Sequence, residues 1–267
     1  MKKLVFLILF LLGALISSVL VSGYLKPQMN KVELETIDHH STDIELIVAL
    51  LTDIHISNNE VSINNLMNQV RVEDPDIILL GGDYIFDGSG EVTNAKRNTI
   101  AKALSPKSKI PVLAVMGNHE SWSNLKLWID AFQEQEIIVL HNEVAVMEDI
   151  NLCVRGLGDF FTNQFEYLDF PVKCNQMIKI TLTHDPAGAF DARIKGIVLA
   201  GHTHCGQINL PLFGPLAMPT DAPKDAHCGL YEDNTKKVYV SSGVGTSVIP
   251  IRFMSQASWD LITIRTR

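Results

Sequence analysis

The chain is 267 residues long, with 46% hydrophobic and 19% charged residues and a formal net charge of −8. This length suits one good-sized domain or two small ones, and the composition excludes a disordered chain. No long basic run follows Lys2-Lys3, so a phosphate-tracking surface for nucleic acid is excluded, and an anionic substrate needs a local positive site such as bound cations.

Residues 1–23 begin with Met1-Lys2-Lys3 and continue almost unbroken in apolar residues from Leu4 to Val21. A positive start before such a run fits a signal peptide or a single transmembrane helix, and the lack of a polar face argues against a buried helix of a globular domain. Val21-Ser22-Gly23 offers small residues for cleavage, but the run is long for a cleaved segment. The expectation is an uncleaved anchor with its lysines cytoplasmic and the catalytic domain extracytoplasmic, although Lys26 and Lys31 on the other flank oppose that orientation.

Residues 24–43 are polar and mixed and read as a linker into a catalytic domain over 44–267. Residues 44–51 are apolar and lead to Asp53-Ile54-His55. In residues 59–72, Val61, Ile63, Leu66, Met67 and Val70 share one helix face. Asp74-Pro75 marks a turn before a strand over 76–80, which leads to Gly82-Asp83. A helix is expected over 91–104. A strand over 109–116, tolerating Pro111 near its start, leads to Gly117-Asn118-His119-Glu120, and a second amphipathic helix covers 122–136. Strands then follow with few helices between them: 137–140, 144–147, 152–157, 178–184 ending in His184, 197–200 before Gly201-His202-Thr203-His204, 238–242 and 261–264. Alternation first and succession later predict two packed mixed sheets with helices outside. No internal repeat is present.

The four cysteines, at 153, 174, 205 and 228, form no closely spaced zinc or redox pair. In an exported domain disulfides become available. Cys205 abuts the histidine motif and Cys228 lies in the irregular stretch after it, which makes them the first pair to consider and Cys153–Cys174 the second. Three connectivities stay open.

Each of the five motifs follows an apolar run, which places metal-ligand residue types at strand ends, where α/β sheets assemble their sites. The two-residue spacing of Asp53 and His55, and of His202 and His204, puts both side chains of each pair on one face of an extended segment. Singly these signals are weak: Gly-Asp is usually a turn, and a lone His184 is usually a satisfied core residue. Their joint occurrence at successive strand ends carries the reading.

The pattern D-x-H, G-D, G-N-H-[DE], H and G-H-x-H, complete in these residues, resembles the calcineurin-like metallophosphoesterases. The resemblance covers the chain from about residue 44 onward. The stretches Gly201-His-Thr-His-Cys-Gly-Gln207 and Tyr239-Val-Ser-Ser-Gly-Val-Gly245 look like a bacterial subgroup of membrane-anchored or exported phosphodiesterases, with relatives acting on UDP-2,3-diacylglucosamine. Two departures are Cys205, where that subgroup usually has glycine, and Ser255-Gln256-Ala257, where it usually has Pro-Glu.

The resemblance implies a four-layer αββα sandwich of two mixed β-sheets flanked by helices, in a protein anchored at the bacterial inner membrane. It implies two divalent ions (Mn, Fe or Zn, with Co and Ni also admitted by the ligand types). One would be held by Asp53, His55, Asp83 and His204, the other by Asp83, Asn118, His184 and His202, with Asp83 bridging. His119 is implied as a non-ligand that protonates the leaving oxygen, with Glu120 as a guess for the group orienting it. The expected reaction is hydrolysis of a phosphodiester or pyrophosphate, small or lipid-linked. The apolar, proline-rich stretch from Leu210 to Pro219 reads either as a packed loop or as a greasy lip beside the metals. Arg252 reads either as a substrate-phosphate contact or as half of an ion pair. The alternative function is an inactive scaffold used as a binding module, although such relatives normally lack ligands that are all present here. The β-lactamase-like and amidohydrolase patterns do not fit.

Overall fold

The apolar runs that precede the five motifs become the central strands of two sheets. A computed structural model of the chain describes residues 26–37, 43–56, 60–86 and 92–266, together with Lys3 and Gly13. The first sheet has the strand order β1 (Gln28–Glu35), β14 (Ser258–Arg265), β2 (Glu45–Leu51), β3 (Ile77–Leu80), β4 (Val112–Ala114) and β5 (Ile138–Val139). The second has the order β12 (Gly229–Glu232), β13 (Lys236–Val240), β9 (Gly196–Ala200), β8 (Ile178–Leu182), β7 (Leu152–Gly156) and β6 (Glu143–Met147). A short hairpin, β10 (Asn209–Leu210) with β11 (Gly214–Pro215), stands apart. Both sheets are mixed. β2 to β5 run parallel, with β14 antiparallel to β2. β7, β8, β9 and β13 run parallel, with β6 and β12 antiparallel at the edges.

Strands β2, β3, β4 and β9 are near-continuous runs of Ile, Leu, Val and Ala because both of their faces are buried. Val48, Leu50, Ile77 and Leu79 meet Leu152, Val154, Ile180 and Leu182 between the sheets. The alternate residues Ala49, Leu51, Ile78 and Leu80 face helices α1 (Glu60–Val72), α2 (Asn94–Leu104) and α4 (Leu125–Gln133) through Ile63, Met67, Ile100, Trp128 and Phe132. Ile63, Leu66, Met67 and Val70 are all buried, as their i, i+3, i+4, i+7 spacing requires. Thr93 caps α2 by accepting from the Lys96 amide at 3.3 Å. The one-turn helix α3 (Asn118–Trp122) follows β4 directly.

The expected helical layer differs on the second sheet. Among the described residues its outer face is covered by coil and by 3₁₀ turns over Val172–Gln176 and Pro186–Phe190. Phe165, Leu168 and Phe190 close over Val198, Ala200 and Val238. The covering segment carries Gly158, Pro171 and no 3.6-residue apolar period, so it cannot hold a helix. The Cys153–Cys174 disulfide ties it to β7, and the second disulfide joins Cys205 to Cys228.

Residues 28–35, inside the stretch read as a linker, form β1, paired with β14 from Gln28↔Ser258 to Glu35↔Arg265. Its Gln, Asn, Lys and Glu residues belong to an edge strand with one face wet, which gives little local signal. The expectation of a membrane-anchored protein with an extracytoplasmic domain is corrected: among the described residues no helix is long and apolar enough to cross a membrane. Among the described residues the longest α-helix has 13 residues, against the roughly 20 that a bilayer core requires. The stretch 1–23 on which that expectation rested lies, apart from Lys3 and Gly13, outside the described residues.

Candidate metal centre

All five motifs leave the C-terminal ends of parallel strands: β2 (Asp53, His55), β3 (Asp83), β4 (Asn118, His119), β8 (His184) and β9 (His202, His204). Because the two sheets face each other, these ends meet over one cavity. The side chains converge through tight turns rather than through a strand pleat. Asp53, His55, Asp83, His202 and His204 all take positive φ, between 47° and 69°, a region that costs non-glycine residues about 1–3 kcal/mol each. The two-residue spacing therefore brings the right residues in for a different reason from the expected one. His202 and His204 in fact diverge, His204 toward Asp53 and His55, and His202 toward Asp83 and His184.

Hydrogen bonds fix these turns. The Asp53 and His55 amides donate to the carbonyls of Gly82 (2.9 Å) and Asp83 (3.0 Å). The His202 amide donates to Asp53 Oδ2 at 2.9 Å. The His119 amide donates to Asp83 Oδ1 at 3.0 Å, which turns Oδ2 inward. Oδ2 then lies 3.3 Å from His184 Nε2, 3.6 Å from His55 Nε2 and 3.8 Å from His119 Nε2. His184 Nε2 is 3.1 Å from Asn118 Oδ1 and 3.1 Å from His202 Nδ1. His204 Nε2 is 3.0 Å from His55 Nε2 and 3.5 Å from Asp53 Oδ1.

Glu120 does not orient His119. Its fully buried carboxylate accepts from the amides of Asp83 (2.8 Å), Tyr84 (2.8 Å) and Gly117 (3.0 Å), clamping the turn after β3 to the turn after β4. Burial pushes this carboxyl up to about 7, against the amide donors that favour its ionised form.

The donor set fits divalent cations. Burial pulls the imidazoles of His55 and His204 down, to about 4 and about 3, so both are neutral at pH 7. The His184 Nδ1 proton goes to the Gly81 carbonyl at 2.8 Å, and that of His55 to Ile85 at 3.3 Å, which leaves their Nε2 atoms facing inward. Burial alone lowers His184, but Asp83, Asp53 and Asp159 around it reverse the effect and raise it well above the ordinary value.

The cavity over the cluster measures about 610 Å³ and is lined by Asp83, Asn118, His119, His202 and His204 on its polar floor, with Trp122, Phe161, Leu216, Val248 and Ile249 around them. Leu216, Ala217 and Pro219 make the stretch from Leu210 to Pro219 one of its walls, while Leu212 and Phe213 at the hairpin tip stand exposed. Arg252 is 2% exposed and is not a lining residue. Its guanidinium donates to the carbonyls of Ser242 (2.8 Å), Gly243 (3.1 Å) and Gly245 (2.9 Å) and lies 3.0 Å from His204 Nδ1.

Sequence reasoning missed Asp159, which follows β7. It is 2% exposed, and its Oδ2 accepts from the Thr162 amide at 3.0 Å and hydroxyl at 2.7 Å. Burial raises its pKa, with His184 and His202 pulling the other way. Gly158-Asp159 after an apolar run repeats the Gly82-Asp83 signature and was legible.

The model of the calcineurin-like phosphoesterase family matches residues 46–206. The chain is 28% identical over 227 residues to an "Uncharacterized metallophosphoesterase" of Helicobacter pylori strain J99, covering 80% of this chain and 58% of that protein. It is 28% identical over 211 residues to "Phosphodiesterase YaeI" of Escherichia coli K12, covering 74% and 75%. Among solved structures it is similar to Haemophilus influenzae NAD nucleotidase, with a TM-score of 0.46 and 14% identity over 77% of this chain and 46% of that one. The chain spans less than two thirds of the length of the Helicobacter relative.

Proposed function

From the premise that this chain belongs to the calcineurin-like phosphoesterase family, we propose that it hydrolyses phosphodiester or pyrophosphate bonds with the help of two divalent ions. Asp53, His55, Asp83 and His204 would hold one ion, and Asp83, Asn118, His184 and His202 the other. The observation that carries this reading is the position of Asp83 Oδ2, within 3.6 Å of imidazole nitrogens from both groups. Ions so held would offset charge on the phosphoryl oxygens and acidify a bound water, Mn, Fe and Zn all suiting the ligand types.

The chain's own groups carry the rest. The His119 ring lines the cavity, and its Nδ1 has no hydrogen-bond partner among the described residues. The His119 amide is fixed on Asp83 Oδ1 and its ring Nε2 lies 3.8 Å from Asp83 Oδ2, beside the proposed ions, and protonation of the leaving oxygen is the role proposed for this imidazole. The Trp122 ring, 5.2 Å from it, restricts its swing. The apolar wall formed by Phe161, Leu216 and Val248 supports an ester whose leaving group is partly apolar. A lipid-linked or nucleotide-containing substrate, such as UDP-2,3-diacylglucosamine, is of that kind.

The test is hydrolysis of an aryl phosphodiester by purified protein stripped of metal and resupplied with Mn²⁺ or Zn²⁺. Activity should return with metal and be absent from Asp83→Ala. His119→Ala should keep its metal and lose about 10²–10⁴-fold in turnover. Wild-type turnover in His119→Ala would remove this histidine from the reaction. Folded, metal-loaded protein that cleaves no diester or pyrophosphate would favour the inactive-scaffold alternative.

A further inference from the structure

The two proposed ligand groups differ in charge. Asp53 and Asp83 give the first group two carboxylates beside His55 and His204. The second, Asp83, Asn118, His184 and His202, has only the shared Asp83, because the Asn118 amide is neutral. The hydrogen bonds behind its imidazoles add no charge: His184 Nδ1 meets the Gly81 carbonyl at 2.8 Å, and His202 Nε2 the Pro219 carbonyl at 2.7 Å. A dication in such a group stays under-compensated unless a carboxylate stands behind the ligands.

Among the described residues, Glu120, Asp159 and Asp185 are buried carboxylates outside the ligand set that follow β4, β7 and β8. Glu120 is taken up by three backbone amides. Asp185 Oδ1 accepts from the Ala187 amide at 3.0 Å and the Thr220 hydroxyl at 2.5 Å. Asp159 is different. Thr162 serves its Oδ2, while Oδ1 is buried with no hydrogen-bond partner among the described residues. A buried carboxylate oxygen left in this way is costly unless a positive charge lies near it.

The fold brings this carboxylate to the second group. β7 and β8 are parallel neighbours, with Gly156 opposite Leu182 and the Leu157 amide donating to the Leu182 carbonyl at 2.9 Å. Two residues further along each chain, Asp159 and His184 leave the strands at the same end. Thr162 Oγ1, which closes the Asp159 turn, lies 3.3 Å from Ser121 Oγ of α3, and the Phe161 ring lies 4.9 Å from the His202 ring. Burial pushes the Asp159 carboxyl up, and the imidazoles of His184 and His202 oppose it. Asp159 is not a lining residue of the cavity, so it meets the ligands from behind and does not touch substrate.

We propose that Asp159 is a positioning residue for the ion of the second group, supplying from behind His184 and His202 the negative charge that this group lacks. This role rests on the two-ion reading and adds to it a residue outside the five motifs.

The test is calorimetric titration of metal-stripped protein with Mn²⁺, read together with thermal melts of the metal-free form. Wild type should take up two ions. Asp159→Asn keeps the shape and an oxygen for Thr162 but loses the charge, so its metal-free Tm should not fall while one ion binds about 10–100-fold more weakly. In Asn118→Ala, whose second group is already damaged, adding Asp159→Asn should leave the tighter ion unchanged. Thr162→Val breaks the hydroxyl bond and keeps the charge, so it should lower Tm and retain both ions. Two ions bound with wild-type affinity by Asp159→Asn overturn the proposal. So does a loss of affinity in Thr162→Val equal to that in Asp159→Asn, which would make Asp159 only the clasp of its turn. A wild type that binds fewer than two ions overturns the two-ion reading itself, and this role with it.

Discussion

Gly117 gives the sharpest test of how tightly the metal centre is built. Its φ of −99° and ψ of −169° are open to alanine, so Gly117→Ala carries no backbone penalty and its whole effect is steric. A Cβ there would collide with Asp83 Oδ1, lie 2.8 Å from the Asp83 amide nitrogen and lie 2.9 Å from His184 Cδ2. None of these atoms is the end of a flexible chain: Asp83 is pinned by the amide of His119, and His184 by Gly81. Relief requires a shift of about half an ångström or more in a carboxylate shared by both metal groups. Overpacking of this kind costs about 1–3 kcal/mol, a fall of roughly 2–12 °C in Tm for a domain of this size. Misplacement on the ångström scale costs about 10²-fold in turnover.

The control is Gly196→Ala. Gly196 has φ of +81° with open space around its Cβ position, so alanine there costs about 1–2 kcal/mol through the backbone alone and should leave turnover unchanged. Thermal melts, metal content after dialysis and diesterase rates on the two variants separate the effects. Similar Tm losses are expected, with activity lost only in Gly117→Ala. Full metal content and wild-type rates in Gly117→Ala would refute the claim that Asp83 is held without slack.

Two further outcomes follow from the same centre. Arg252→Lys keeps the charge but loses the guanidinium fork across Ser242, Gly243 and Gly245, so Tm should fall by roughly 3–12 °C; a buried group that does not line the cavity should leave KM little changed, and a large KM increase in steady-state assays would restore the substrate-contact reading. In metal-free protein, imidazole NMR should show His55 and His204 neutral from pH 7 down to about 4 and about 3, with the His184 proton held to a higher pH than theirs. Metal must then displace that proton, so affinity should weaken as pH falls, and pH-independent metal binding would contradict it.

The convergence of the candidate metal ligands was legible because a parallel sheet turns a long-range fact into a local one. Strands buried on both faces are written as continuous apolar runs, and whatever polar residue follows such a run arrives at the shared end of the sheet. Partnerships set between distant segments leave no such trace. The pairing of β1 with β14 joins residues 230 apart (Gln28↔Ser258), and the sequence of β1 alone reads as linker. Glu120 sits three residues after Gly117, next to His119, yet it serves the turn around Asp83 and Tyr84, because α3 folds back over that turn. Asp83 and Asp159 show the limit most directly. Both follow an apolar strand and a glycine. Asp83 meets His55, His119 and His184, whereas Asp159 is held by Thr162 three residues on. The same local signature therefore marks a position at the rim of the sheets, and the role is decided by the groups that the neighbouring strands bring to it.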